Sequence, residues 1–358
     1  MRDFWKFFFK RLAAIPITLL IVTLVLYGVV MLMPLESRIS LYMPKSSNRI
    51  EIWGDRMRER IIERHHLNEP FLVQYYYWVR SLFEDEWGYS PVLENTVLSE
   101  LIRRTPVTVE LIIYALLVQI PLGLLSGIYA ARKKGRAPDY AIRFISFFAS
   151  AIPDFILAII LLSIFYISLS WFSPERLSIT NHLFVKSQEF QSFTGLLTID
   201  GLLNRRADIT LDALRHLVLP VFTLGFTHWA ILMRITRSGI IEELGEDYIT
   251  AAYARGLTEK MVVREHAFRN ALGPVLSTSA IAAASLVTGV YVVERIYNLN
   301  GVSELVTRYG PMVPDAAAVL GFAVYSTVIV LTLMFILDIL QALLIPQIKE
   351  QVVNNERV

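Results

Sequence analysis

The stretch Glu242–Pro274, EELGEDYITAAYARGLTEKMVVREHAFRNALGP, carries Arg255, Lys260, Arg264 and Arg269 yet lies between two apolar runs, Leu217–Met233 and Val275–Val293. A charged loop held between such runs is the layout of a chain that crosses a bilayer repeatedly. Read locally, the loop is two short helices with a hinge. Glu246 and Asp247 put negative charge at the first helix's N-terminus, where the helix dipole favours it. Arg255 falls in the last turn, and Gly256 suits the left-handed position that ends a helix. Thr258 is placed to cap the next helix. The cations and an exposed Tyr and Ala face fit an element that binds a cytoplasmic partner.

Outward from this loop, the composition fits the same reading. Of 358 residues, 54% are hydrophobic and 18% charged, and the net charge is +2. Soluble proteins carry about 25% charged residues. A net charge this small excludes a strongly basic nucleic-acid binder. The absence of cysteine excludes disulfides, thiolate zinc sites, iron–sulfur clusters and cysteine catalysis. A helix crossing a bilayer core needs roughly 20 mostly apolar residues. Six stretches meet that need: 12–33, 107–131, 140–171, 217–233, 275–293 and 316–345. The fold class expected is therefore an all-α membrane protein with six transmembrane helices.

The first stretch follows Arg2, Lys6, Lys10 and Arg11, as in a signal peptide, but it is long and ends in Leu32-Met33-Pro34 without a small-residue cleavage site; a retained anchor is expected. Orientation follows from Lys and Arg in the short loops. The basic N-terminus, the run Arg132-Lys133-Lys134-Gly135-Arg136 and the loop with Arg234 to Arg269 share one side if the spans number six. Both termini are then cytoplasmic. Outside lie residues 34–106 and 173–215. In the first of these, the turn Asn68-Glu69-Pro70 precedes Phe71, Val73, Tyr75, Tyr76, Trp78, Val79 and Leu82, which suit an amphipathic helix at the membrane surface.

Inside the spans, small and charged residues stand out. Ala280, Ala282, Ala283, Ala284, Ser285 and Gly289 allow close helix approach, either within the subunit or at an interface or pathway. Glu110, Glu294 and Asp338 lie near span ends, within reach of headgroups or a partner. Asp154 is deeper and follows Pro153, which removes a donor and kinks a helix. It lines an aqueous path or caps the segment after the break. Gln119 and Pro121 make a similar polar break. Both Gln119 and Asp154 are translocation-path candidates, because a polar group in a span needs a reason.

No residue set supports catalysis. There is no Gly-x-x-x-x-Gly-Lys-Ser/Thr phosphate loop, so nucleotide has to be handled by a partner. Adjacent His65 and His66 do not share a helix face, and no HExxH spacing exists. His216, His228 and His266 read as structural. No cofactor and no metal are expected, and the chain is not expected to be an enzyme.

The central loop resembles the conserved loop of ABC importer permeases, the EAA motif, in its dipeptide/oligopeptide branch. Ala251-Ala252-Tyr253-Ala254-Arg255-Gly256 matches the spacing, with Thr250 where the generic motif has Glu. Asp247-Tyr248, Gly256-Leu257 and His266-Ala267-Phe268-Arg269-Asn270-Ala271-Leu272-Gly273-Pro274 fit the peptide branch, with Arg255 for its Lys. The likeness extends along the chain. Leu67-Asn68-Glu69-Pro70, Gln74-Tyr75 and Trp87-Gly88-Tyr89-Ser90 are similar to the branch's external segment. Arg215-His216-Leu217-Val218-Leu219-Pro220 resembles its entry to the fourth span. Val292-Val293-Glu294 resembles its segment after the fifth, although Asn300-Gly301 stands where Pro-Gly is usual.

The resemblance implies the type I ABC importer permease fold. Residues 1–105 would be an anchor with an extracytoplasmic segment, 106–346 the transport core and 347–358 a cytoplasmic tail. The 247–257 helix would be a coupling helix seated in a separate ATPase. Glu246, Asp247, Tyr248, Ala251, Ala252, Tyr253, Arg255, Gly256 and Leu257 would carry that contact. The implied partners are a second homologous permease, two cytoplasmic ATPases and an extracytoplasmic binding protein, all at a prokaryotic inner membrane. Peptides are the first expected substrate; nickel chelates and oligosaccharides are the alternatives within the branch. A secondary transporter acting alone is the remoter alternative; it would bring several deep carboxylates and repeat symmetry.

Overall fold

The computed structural model describes residues 2–40, 42, 50–90, 93–307 and 315–344. The expected tail, 347–358, lies outside them. Helices α1 (Arg2–Met31), α2 (Leu35–Ser40), α3 (Ile50–Arg64) and α4 (Phe71–Phe83) come first, followed by the short antiparallel pair β1 (Tyr89–Ser90) and β2 (Asn95–Thr96). Then come α5 (Val97–Arg132), α6 (Ala137–Ala151), α7 (Asp154–Leu162) with a π turn at Ser163–Ser168, α8 (Ile179–Val185), α9 (Leu197–Leu203) and α10 (Ala207–Glu243). Last are α11 (Asp247–Ala254), α12 (Glu259–Met261) with a π turn at Val262–Ala267, α13 (Phe268–Ile296), α14 (Glu304–Thr307) and α15 (Ala316–Leu344).

Among the described residues, four helices are long and apolar enough to cross a bilayer: α1 from Phe8, α5, α10 and α15 from Ala317 to Leu340. At 29 residues, α13 covers the expected fifth stretch. The expected third stretch, 140–171, is not one rod. It breaks at Ile152-Pro153, and the two parts meet at 100°. Proline lacks the donor that would continue the ladder and clashes with the preceding turn, so the chain restarts there. In the π turn that follows, Ser163 Oγ donates to the Ile159 carbonyl at 2.8 Å and Ser168 Oγ to the Ser163 carbonyl at 3.0 Å, taking up acceptors that lipid cannot.

The chain divides into two compact units. One comprises residues 1–8, 107–299 and 333–358. At its centre α10 packs on α6, α7, α9 and α13. It also comes close to α5: a Cβ on Gly123 would lie 2.8 Å from the Leu232 side chain, and one on Gly127 2.8 Å from the Met233 carbonyl oxygen. Small residues four apart let backbones approach where packing, not water exclusion, drives association. Glu110 does not reach for headgroups. It is buried and accepts from Arg176 at 2.7 Å and from Thr198 N and Oγ1 at 2.9 and 2.7 Å, which ties the 173–215 excursion down. Glu294 likewise accepts from Thr108.

The other unit comprises residues 9–106 and 300–332. The helix expected after Pro70 is α4, but its aromatic face is turned on protein. Trp78 stacks on Tyr27 of α1 at 5.0 Å and packs with Val324 of α15. Gln74 accepts from Arg38 at 3.0 Å and donates to the Leu67 carbonyl at 3.0 Å. Arg104 joins Glu100 at 3.1 Å, Glu304 and the Asn300 carbonyl. These polar contacts explain how a charged segment stays ordered beside apolar helices.

Candidate functional site

Asp247–Ala254 forms the expected short helix, α11, with Glu246 as its extended N-cap and Asp247 in its first turn. At the far end Gly256 takes φ +80°. Its N–H donates to the Tyr253 carbonyl at 2.9 Å and the Leu257 N–H to the Ala252 carbonyl at 3.3 Å, a Schellman termination that uses the last free acceptors. Thr258 is the N-cap of α12 by position, but its side chain makes no cap bond.

One face of α11 is fixed to its own subunit. Ile249 and Ala252 are buried in a cluster with Ala131 of α5, Ile240 of α10 and Val262, Val263, Ala267 and Ala271 beyond the loop; Tyr248 and Leu257 pack against its edge. Tyr248 donates to Glu243 and accepts from Asn270 Nδ2 at 2.9 Å. Burial and the Glu243 carboxylate push the Tyr248 hydroxyl up to about 12, so it stays protonated as a donor. The opposite face is open. Glu246, Asp247, Thr250, Ala251, Arg255 and Gly256 are exposed, and Tyr253 is 44% exposed. The nine residues singled out in the sequence therefore split. Six face outward, and Tyr248, Ala252 and Leu257 hold the helix in place from beneath.

Two further contacts brace this end of the chain. Asp139 of α6 accepts two bonds from Arg237 of α10, at 2.6 and 2.8 Å, and one from Gly135 N at 3.0 Å. The Arg237 guanidinium holds the Asp139 carboxyl below its usual range. Arg132 of α5 lies 3.6 Å from Glu259.

The two path candidates occupy different settings. Gln119 of α5 is buried, and its Oε1 has no hydrogen-bond partner among the described residues. It lines a groove of about 340 Å³ with Leu122, Ser126, Phe222, Phe226 and Trp229. Asp154 begins α7 and accepts from Thr227 Oγ1 at 2.7 Å. A Cβ on Gly289 would lie 2.7 Å from its Oδ2, so this member of the small-residue stripe serves approach within the subunit. Ser285 is exposed; the side chains of Ala280, Ala282, Ala283 and Ala284 lie outside the described ones. His216 Nδ1 donates to the Asp212 carbonyl at 2.8 Å, and its Nε2 pairs with the Ser173 hydroxyl at 3.0 Å.

An outward helix on an anchored underside, in a chain of apolar spans, is the setting in which the family match falls. Residues 120–350 match the family described as "Binding-protein-dependent transport system inner membrane component". The chain belongs to that family. It is similar to the oligopeptide transport system permease protein AppB of Bacillus subtilis, 34% identical over 82% of this chain and 85% of that protein. It is similar to the di/tripeptide transport system permease protein DppB of Pseudomonas aeruginosa, 31% identical over 97% of this chain and 99% of that one. The probable D,D-dipeptide transport system permease protein DdpB of Escherichia coli is 31% identical over 82% of this chain and 86% of that protein.

This permease is thus an inner-membrane transport component and not an enzyme. Its ABC transport system brings ATPase and binding-protein partners with it. Glu243, Asn270, Asp139 and Arg237, to which sequence reasoning gave no positioning role in the permease, hold the loop from other elements. The spacing Gly123-x-x-x-Gly127 was a legible signal of close helix approach; the Asp139–Arg237 pair, 98 residues apart, carried none.

Proposed function

We propose that this permease forms one half of a peptide translocation pathway and is driven through α11 by a cytoplasmic ATPase. The observation that carries the reading is the division of α11 into a buried underside and an open upper face. A lever needs both: a face for the partner to push and a packed face that passes the push to α5, α10 and α13. The acidic Glu246-Asp247 end and the basic Arg255 end give a partner's cleft an orientation to read. Peptides are the substrate because the relatives similar over most of the chain are named for oligopeptides and dipeptides. The assembly holds this chain, a second homologous permease, two ATPases and one binding protein. Residues 106–346 act as the transport core, and Gln119 and Asp154 border the path. With six spans, both termini and α11 are cytoplasmic.

The test is a disulfide scan in membranes containing the whole assembly. Tyr253→Cys, paired with single cysteines around the ATPase cleft, is expected to crosslink and to do so in a nucleotide-dependent way. No crosslink at any position from 247 to 257 would refute the docking.

A further inference from the structure

Helix α6 is amphipathic the wrong way round for a protein packed in water. Asp139, Ser146 and Ala149 are buried, whereas Tyr140, Phe144, Ile145, Phe147 and Phe148 are exposed. Its direction is fixed by two contacts with α10. Asp139 meets Arg237 at 2.6 Å, and Ser150 accepts from Arg234 at 3.0 Å. The two contacts lie eleven residue steps apart on α6, about 16 Å of helix, but only three steps apart on α10, about 4.5 Å. Together with the 100° bend that separates α6 from α7, both packed on α10, this spacing sets α6 across α10 at a level beyond the apolar run Leu217–Met233. After the 100° bend the chain turns to follow α10, where Asp154 meets Thr227.

A helix lying across a spanning helix at the end of its apolar run lies in the membrane plane. Charge points to what covers its outer side. Lys133, Lys134, Arg136 and Arg143 surround it, and Asp139, the only acid between Arg132 and Ala151, is consumed by Arg237 and Gly135. Arg143 shares the Asp139 charge, and Lys133, Lys134 and Arg136 have no ion pair among the described residues; such cations beside an aromatic face fit anionic headgroups with acyl chains beneath them. We propose that α6 is an interfacial helix that binds anionic phospholipid of the cytoplasmic leaflet through these cations. The leaflet rests on the topology in Proposed function; the in-plane placement does not.

The experiment uses the assembled transporter in nanodiscs, with single reporters introduced into a chain that has no native cysteine. A fluorophore on Phe147→Cys or Phe144→Cys is expected to be quenched by acyl-brominated lipid and not by iodide. Iodide quenching, or shielding from both quenchers by a covering protein, would overturn the placement. The unmodified complex is expected to retain phosphatidylglycerol over phosphatidylcholine on delipidation. Replacing Lys133, Lys134 and Arg136 together by Gln is expected to cut that preference by about a hundredfold, each cation contributing roughly fivefold. An unchanged preference would overturn the lipid assignment. In sealed membrane vesicles of known orientation, an impermeant maleimide is expected to label Lys134→Cys from the cytoplasmic face; labelling from the opposite face, with lipid quenching intact in nanodiscs, would overturn the leaflet and its topology alone.

Discussion

Gly256 sits at φ +80° with nothing within 4 Å of where a Cβ would go, so substitution there acts on backbone conformation and on no neighbour. An L-residue in the left-handed region costs about 1–2 kcal/mol, with β-branched side chains at the upper end and Asn near the lower. The helix it ends, α11, has only eight residues and two buried side chains, Ile249 and Ala252, among the described ones. So short a helix has little stability of its own. A cost of about 1 kcal/mol lowers the terminated form roughly fivefold, and 2 kcal/mol roughly thirtyfold. Peptide uptake per ATP hydrolysed, measured in proteoliposomes of the whole assembly, is therefore expected to fall about fivefold in Gly256→Ala. In Gly256→Val it is expected to fall about thirtyfold, and in Gly256→Asn by no more than in Gly256→Ala. Folding is checked by thermal unfolding of each purified complex. A correctly assembled Gly256→Val transporter with the parental uptake-to-hydrolysis ratio would refute the reasoning.

Four other outcomes are expected. Arg237→Ala leaves the Asp139 carboxylate buried without its partner, at a cost of about 3 kcal/mol or more, and the combined Asp139→Asn, Arg237→Gln variant unfolds at a higher temperature than that single change. Because the pKa of Asp139 is depressed in the fold, the clamp's contribution is complete above the ordinary carboxylate range. It is lost only as pH falls below that range; a melting-temperature profile that drops near neutrality would contradict this. Gly127→Val drives a side chain into Thr236 and the Met233 carbonyl, and is expected to cost about 2 kcal/mol or more, whereas Gly28→Ala, with open space around it, leaves the melting temperature unchanged. Gln119→Cys is expected to react with a small aqueous thiol reagent at a rate that changes between nucleotide-free and ATP-bound assemblies; equal slow labelling in both would remove it from the path.

The class of the molecule was legible in local sequence because its causes are local. Apolar runs of bilayer length force helices, since no other open-chain form satisfies backbone groups in lipid. The ends of α11 were legible too: a carboxylate pair marks its start, and a glycine free to take positive φ marks its stop. Pro153 announced a break, but not its size. The 100° turn follows from where Asp139, Ser150 and Asp154 each find a partner on α10, and those partners are far away in sequence. The same holds for the underside of α11. Ala251 and Ala252 are chemically identical, and only the packing of Ala131, Ile240 and Val263 around one of them decides which is buried and which is offered outward. Sequence alone determined what kind of helices these are and where the loop's helix begins and ends. Tertiary structure decided which face of each helix is hidden, because burial depends on contacts between segments brought together only by folding.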